Sequence, residues 1–126
     1  AAGGVVPFEF PPDFTASAAR HAERMRAKQA VPGATGRSVV WGGASKGVIF
    51  SLFMQRAGAR VDYVVDINPA KQGRYLAATG LRVSSPEEML QQAAPGSDIY
   101  VMNGNYLPEI RQMTQDRFNY ITVDHA

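Results

Sequence analysis

Hydrophobic and polar positions follow two different periods along this chain. From about Phe14 to Gln29, the residues Phe14, Ala18, Ala22 and Met25 share one helical face, which predicts an amphipathic helix. Its basic residues, Arg20, Arg24 and Lys28 among them, lie elsewhere and read as a solvated face. Asp13 or Thr15 is placed to cap its start, and Val31-Pro32-Gly33 stops it. Upstream, Ala1 to Phe10 is small, apolar and aperiodic. With Pro7, Pro11 and Pro12, it makes residues 1–13 read as a flexible tail or linker. Beyond the helix, short strand-like runs take over at Arg37–Trp41, Arg60–Asp66, Leu81–Ser84, Asp98–Met102 and Phe118–Val123. Helical patterns separate them. Ser45–Ala57 offers Val48, Ile49, Leu52 and Phe53 as its buried face, and Gly58 stands where a left-handed cap is wanted. Ser85-Pro86-Glu87-Glu88 opens a short helix, and Leu107–Arg117 is the last.

Strands alternating with helices at short spacing predict parallel pairing through right-handed crossovers. The fold class is α/β: a single doubly wound, Rossmann-like parallel sheet of about five strands in the order 3-2-1-4-5, with an extra N-terminal helix. The domain spans residues 14–126, with its core at 37–126. In such sheets the ligand crevice lies beyond the carboxyl ends of the strands, beside the first one. Three loops converge there: Gly42–Gly47, Asp66–Gly73 and Asn103–Tyr106.

Composition narrows the function classes. With 126 residues the chain is one domain's length, and its 45% hydrophobic and 19% charged residues are ordinary for a globular protein. The formal charge of +2 is scattered among acids, so no nucleic-acid partner is expected. With 0 cysteines there is no disulfide, no thiolate nucleophile and no cysteine-held zinc. No apolar run reaches membrane-spanning length and the start lacks a leader pattern, so the chain reads as soluble and cytoplasmic, with no membrane partner.

The chemistry centres on Gly42-Gly43-Ala44-Ser45-Lys46-Gly47, which follows a strand run and opens a helical one. It matches the glycine fingerprint G-x-G/A-x-x-G with alanine in the middle. Gly42 permits the turn, Ala44 lets the backbone approach a phosphate, and Gly47 lets the helix pack on the strand. Phosphate is the usual guest of such a turn, because unpaired amides and the positive end of the helix dipole face it. Lys46 adds a point charge. Asp66, ending the second strand, is placed to accept hydrogen bonds from ribose hydroxyls. The alternative is that the glycines make a packing turn and Asp66 caps its own loop. Asn103, Asn105 and Tyr106 sit where a substrate touches the fourth strand's end, although asparagines also simply make turns. The turn is not a Walker A loop, and it lacks the acid before the glycines that methyl-donor loops carry, since Val40 and Trp41 stand there. His21 and His125 have no evident partner. No metal ligand set and no catalytic set emerges.

Four segments occur in the order of a known family. They are Val40-Trp41-Gly42-Gly43-Ala44-Ser45-Lys46-Gly47, Val64 to Tyr75, Val83 to Glu88, and Asn105-Tyr106-Leu107-Pro108-Glu109-Ile110. The chain from about Arg37 onward resembles the C-terminal domain of S-adenosylmethionine-dependent sugar C-methyltransferases. The run Asp66-Ile67-Asn68-Pro69-Ala70-Lys71-Gln72-Gly73-Arg74-Tyr75 is the most specific part. The resemblance implies a nucleotide-binding type of fold that helps hold a nucleotide-linked sugar, with Asn68 and Lys71 joining the glycine turn and Asp66. It also implies an upstream methyltransferase domain carrying S-adenosylmethionine and a further cysteine-rich zinc domain, neither of them within these residues. Two departures stand out. Val48 replaces the family's asparagine after the K-G pair, and Leu76-Ala77-Ala78 stands where the family often has P-G. The same loop logic resembles the nucleotide-sugar-binding domains of some sugar acyltransferases.

The expected function is accessory: a domain holding the nucleotide part of a nucleotide-linked sugar for a neighbouring methyltransferase, with no cofactor of its own. Two alternatives remain at this point. One is a non-catalytic structural or dimerisation domain. The other is a stand-alone domain that binds NAD(P) or a nucleotide sugar.

Overall fold

A computed structural model describes residues 12–42, 44–76 and 78–123. The tail reading at residues 1–11 and the positions of Gly43, Ala77 and His125 lie outside the described residues. Helix α1 (Pro12–Gln29) precedes β1 (Ser38–Trp41), α2 (Ser45–Arg56), β2 (Tyr63–Val65), β3 (Val83–Ser84), α3 (Pro86–Gln92), β4 (Asp98–Val101), a 3-10 turn (Gly104–Tyr106), α4 (Leu107–Met113) and β5 (Asn119–Thr122). Thr15 falls inside α1 rather than at its cap. The five strands form one parallel sheet in the order β3-β2-β1-β4-β5, as the alternation predicts.

Successive strand residues point to opposite faces, so each strand feeds two cores. Val40, Val64, Val83 and Tyr100 pack under α1 and α2 with Ala18, Ala22, Met25, Phe50 and Met54. Val39, Trp41, Val65, Ile99 and Val101 pack on the other face with Met89 of α3 and Ile110 of α4. Burial on both faces explains why β1 and β4 read as short continuous runs rather than as alternating ones.

The buried face of α2 differs from the expected one. Gly47, Phe50, Ser51 and Met54 are buried, whereas Val48, Ile49, Leu52 and Phe53 are only half-buried. Gly47 decides this. A Cβ there would lie 1.7 Å from the carbonyl oxygen of Gly42, so the helix rests on the turn at its glycine, and the positions three, four and seven residues on follow it inward. Phe53 instead meets the Phe14 ring of α1 edge-on at 6.1 Å. Gly58 takes the expected positive φ, +84°, just past the helix end. The end of α4 comes earlier than predicted, because Gln115 and Asp116 adopt φ of 58° and 54°. Ala78 has φ of 64°, a conformation that costs a residue with a Cβ about 1–2 kcal/mol.

The basic face of α1 is not merely solvated. Asp98, buried at the start of β4, accepts a hydrogen bond from Lys28 Nζ at 2.8 Å and one from Asn119 Nδ2 at 3.2 Å, with Arg24 Nε 3.6 Å away. These contacts tie α1 to the end of the sheet opposite the glycine turn. His21 also finds company, packing edge-on against Phe50 at 5.9 Å and Tyr100 at 5.7 Å. Burial first, then Arg20 and Arg24, lowers its pKa. Among the described residues no helix is long and apolar enough to cross a membrane.

Candidate functional site

At the carboxyl ends of β1, β2 and β4 an open crevice of about 580 Å³ separates the glycine turn from α4. That volume lies within the roughly 300–1,000 Å³ of ligand pockets. Its first wall grows from the end of β1. The Gly42 amide donates to the Val65 carbonyl at 2.7 Å, extending the ladder by one residue. The chain then turns at a Gly42 φ of +124°, a value that L side chains rarely adopt. Ala44 is the N-cap of α2, in extended conformation (φ −80°, ψ −174°), and its methyl side chain caps nothing. The first turn holds no acid, and Lys46 there is exposed and lines the crevice. The helix therefore presents its first amides and the positive end of its dipole with no anionic side chain of its own to answer them.

The second wall follows β2. Asp66 Oδ1 accepts the Asn68 amide at 2.9 Å, and Asn68 Oδ1 accepts the Ala70 amide at 3.0 Å. Gln72 Nε2 donates to the Asp66 carbonyl at 2.8 Å, so the loop after β2 is braced by its own side chains. Asp66 caps its own loop, one of the readings that the sequence left open, and also lines the crevice. The third wall follows β4. Asn103 Oδ1 accepts the Asn105 amide at 3.0 Å and starts the 3-10 turn that carries the exposed Tyr106.

The crevice thus gathers Gly42, Ala44, Lys46, Gly47, Asp66, Asn103 and Tyr106 from three loops distant in sequence. Ser45, Asn68, Lys71 and Asn105 are not among its lining residues, and Gly43 is outside the described residues. Sequence reasoning missed the apolar part of the lining. Trp41 and Met102 close the floor, Ile67 stands beside Asp66, and α4 adds Glu109, Ile110 and Met113. A signal for the last three existed, because they lie on one face of the helix that follows the fourth strand. A smaller crevice of about 460 Å³ adjoins the first, with Ile67 and Met113 lining both. Among the described residues no group of three or more metal-ligating side chains is placed to hold an ion.

Comparison with known proteins places the chain in a family. A family model described as the C-methyltransferase C-terminal domain matches residues 4–120, and the chain belongs to that family. No curated protein matches it. A crystal structure of RSP in complex with beta-NADH is similar at 11% identity and a TM-score of 0.46, over 71% of this chain and 53% of that one. This chain thus spans about half the length of that structure, and at such similarity the likeness carries no functional weight.

Proposed function

We propose that this member of the C-methyltransferase C-terminal domain family holds the nucleotide part of a nucleotide-linked sugar for a methyltransferase domain elsewhere in a longer cytoplasmic protein. The observation that carries the reading is the convergence of an uncapped, acid-free helix start, Lys46 and Asp66 around one crevice. The amides of α2 and Lys46 take the diphosphate, and Asp66 accepts from ribose hydroxyls. Asn103 and Tyr106 border the opposite rim. Asn68 and Lys71 support the second loop, and Ser45 and Asn105 act through the backbone of theirs.

The residues do not fit the methyl donor that the family implies. A donor turn needs an acid just before the glycines, and here Val40 and Trp41 are buried in the two cores. This chain's part is to bind and orient, and the reaction belongs to the neighbouring domain.

Trp41 makes the test direct, because it is the chain's one tryptophan and lines the crevice. Titration with nucleoside diphosphates is expected to change its fluorescence and to shift the amides of Ala44–Gly47, with S-adenosylmethionine and NAD as comparison ligands. Nucleoside diphosphates that leave both signals unmoved at millimolar concentration overturn the reading.

A further inference from the structure

We propose that the smaller crevice, between the loop after β2 and the start of α3, is the subsite for the nucleobase, and that Glu87 reads the base's edge. The inference rests on the nucleotide reading of the larger crevice and adds a direction to it. With the diphosphate at the start of α2 and the ribose at Asp66, the base leaves the ribose on the side away from α2. The next residue on that side is Ile67, which lines both crevices together with Met113 of α4.

These two side chains are otherwise hard to account for. Ile67 is 58% exposed and Met113 44%, although the sheet buries two complete apolar cores of its own. A flat base lying between them would remove apolar surface from water on both of its faces. Beyond them the smaller crevice continues over Pro69, Pro86 and Leu90.

The polar side chains of that crevice are Gln72 and Glu87. Gln72 gives one of its two amide N–H groups to the Asp66 carbonyl, which fixes the amide in the crevice wall and leaves its Oε1 as an acceptor. Glu87, exposed in the first turn of α3, offers only acceptors while ionised. Glu88 beside it is already committed to the amide of Ser85 and to Arg82. A ligand edge that suits Glu87 donates N–H, from an exocyclic amino group or a ring imide, and Gln72 can meet a donor or an acceptor beside it. A bare diphosphate or a hydrocarbon gains nothing there.

The test uses the 126-residue chain followed by NMR, with inorganic pyrophosphate and the diphosphates of adenosine, guanosine, cytidine, uridine and thymidine as probes. Pyrophosphate is expected to shift only the amides of Ala44–Gly47. At least one nucleoside diphosphate is expected to shift in addition the Gln72 side-chain amide and the Leu90 methyls. Glu87→Gln is expected to weaken that nucleotide at least fivefold and to leave pyrophosphate unchanged. Nucleotides that move Ala44–Gly47 but not Gln72 and Leu90, or that bind Glu87→Gln equally well, overturn the base subsite and leave the nucleotide reading standing. Concentration-dependent sedimentation, with Ile67 and Met113 covered by a second copy and Leu90 unmoved by nucleotide, overturns it too. If no probe moves Ala44–Gly47, the nucleotide reading itself fails and the subsite falls with it.

Discussion

Two strand-to-helix turns in this chain solve the same problem in opposite ways. Between β3 and α3, Ser85 Oγ accepts the Glu88 amide at 3.1 Å and Glu88 Oε1 accepts the Ser85 amide at 3.1 Å. Pro86 occupies the first turn, where an amide hydrogen would have no partner, and two acids answer the dipole. Between β1 and α2, the cap is an alanine, the first turn has a lysine and no acid, and the turn is made by glycine. The first turn is finished within the chain. The second is left open toward a crevice, which is the arrangement expected where a ligand supplies the missing partner.

The largest effect expected from breaking this contrast is at Gly47. Gly47→Ala forces a methyl group into the Gly42 carbonyl, so α2 must lift off the turn, and urea unfolding should show a loss of about 3 kcal/mol. An unchanged midpoint would mean that the close approach does not set the helix position. Next is Lys46→Met, which removes a solvated charge from the crevice. Nucleoside diphosphate affinity should fall about tenfold, or about 1.4 kcal/mol, with the melting temperature unmoved. Equal affinity would show that Lys46 is only a surface lysine.

The caps themselves are open to exchange. Ala44→Asp places a carboxylate at an extended N-cap and should raise stability by about 1 kcal/mol while weakening anion binding by occupying the amides and repelling the charge. Ser85→Ala should cost about 1 kcal/mol and leave phosphate binding alone. If the two substitutions affect binding alike, the contrast between the turns has no functional content.

The smallest effect is a dependence on pH. The Ser85 amide, followed by Arg82, holds the Glu88 carboxyl below its ordinary range. Its contribution is therefore present above the unfolded value and is lost as pH falls through the folded one. Melting temperatures measured across the acid range should fall less steeply in Glu88→Gln than in the parent chain. Identical slopes would remove Glu88 from the acid response.

Much of this contrast is legible in the residue types alone. Ser85-Pro86-Glu87-Glu88 announces a cap, and Gly42 with Gly47 announces a tight turn, because both signals are local and depend on backbone chemistry within a few residues. The face of α2 is not legible in that way. Val48, Ile49, Leu52 and Phe53 outweigh Phe50 and Met54 in apolar content, yet a contact at Gly47 rotates the helix. The lining of the crevice is legible only in its loops. Ile67 carries no signature, because a site residue of that kind is defined by what lies opposite it, and the shared face of Glu109, Ile110 and Met113 marks one side of a helix without saying what it faces.

By itself the sequence determined the alternation of strands and helices, the strand order, the two turns and the family, since periodicity, turn chemistry and short motifs are properties of neighbouring residues. Only the tertiary structure decided which face of α2 goes inward and that Arg24 and Lys28 reach a buried Asp98 some seventy residues away. It also decided that an aliphatic pair, Ile67 and Met113, stands between two crevices. Those outcomes depend on packing between segments far apart in the chain, where one close contact or one buried charge outweighs the local pattern.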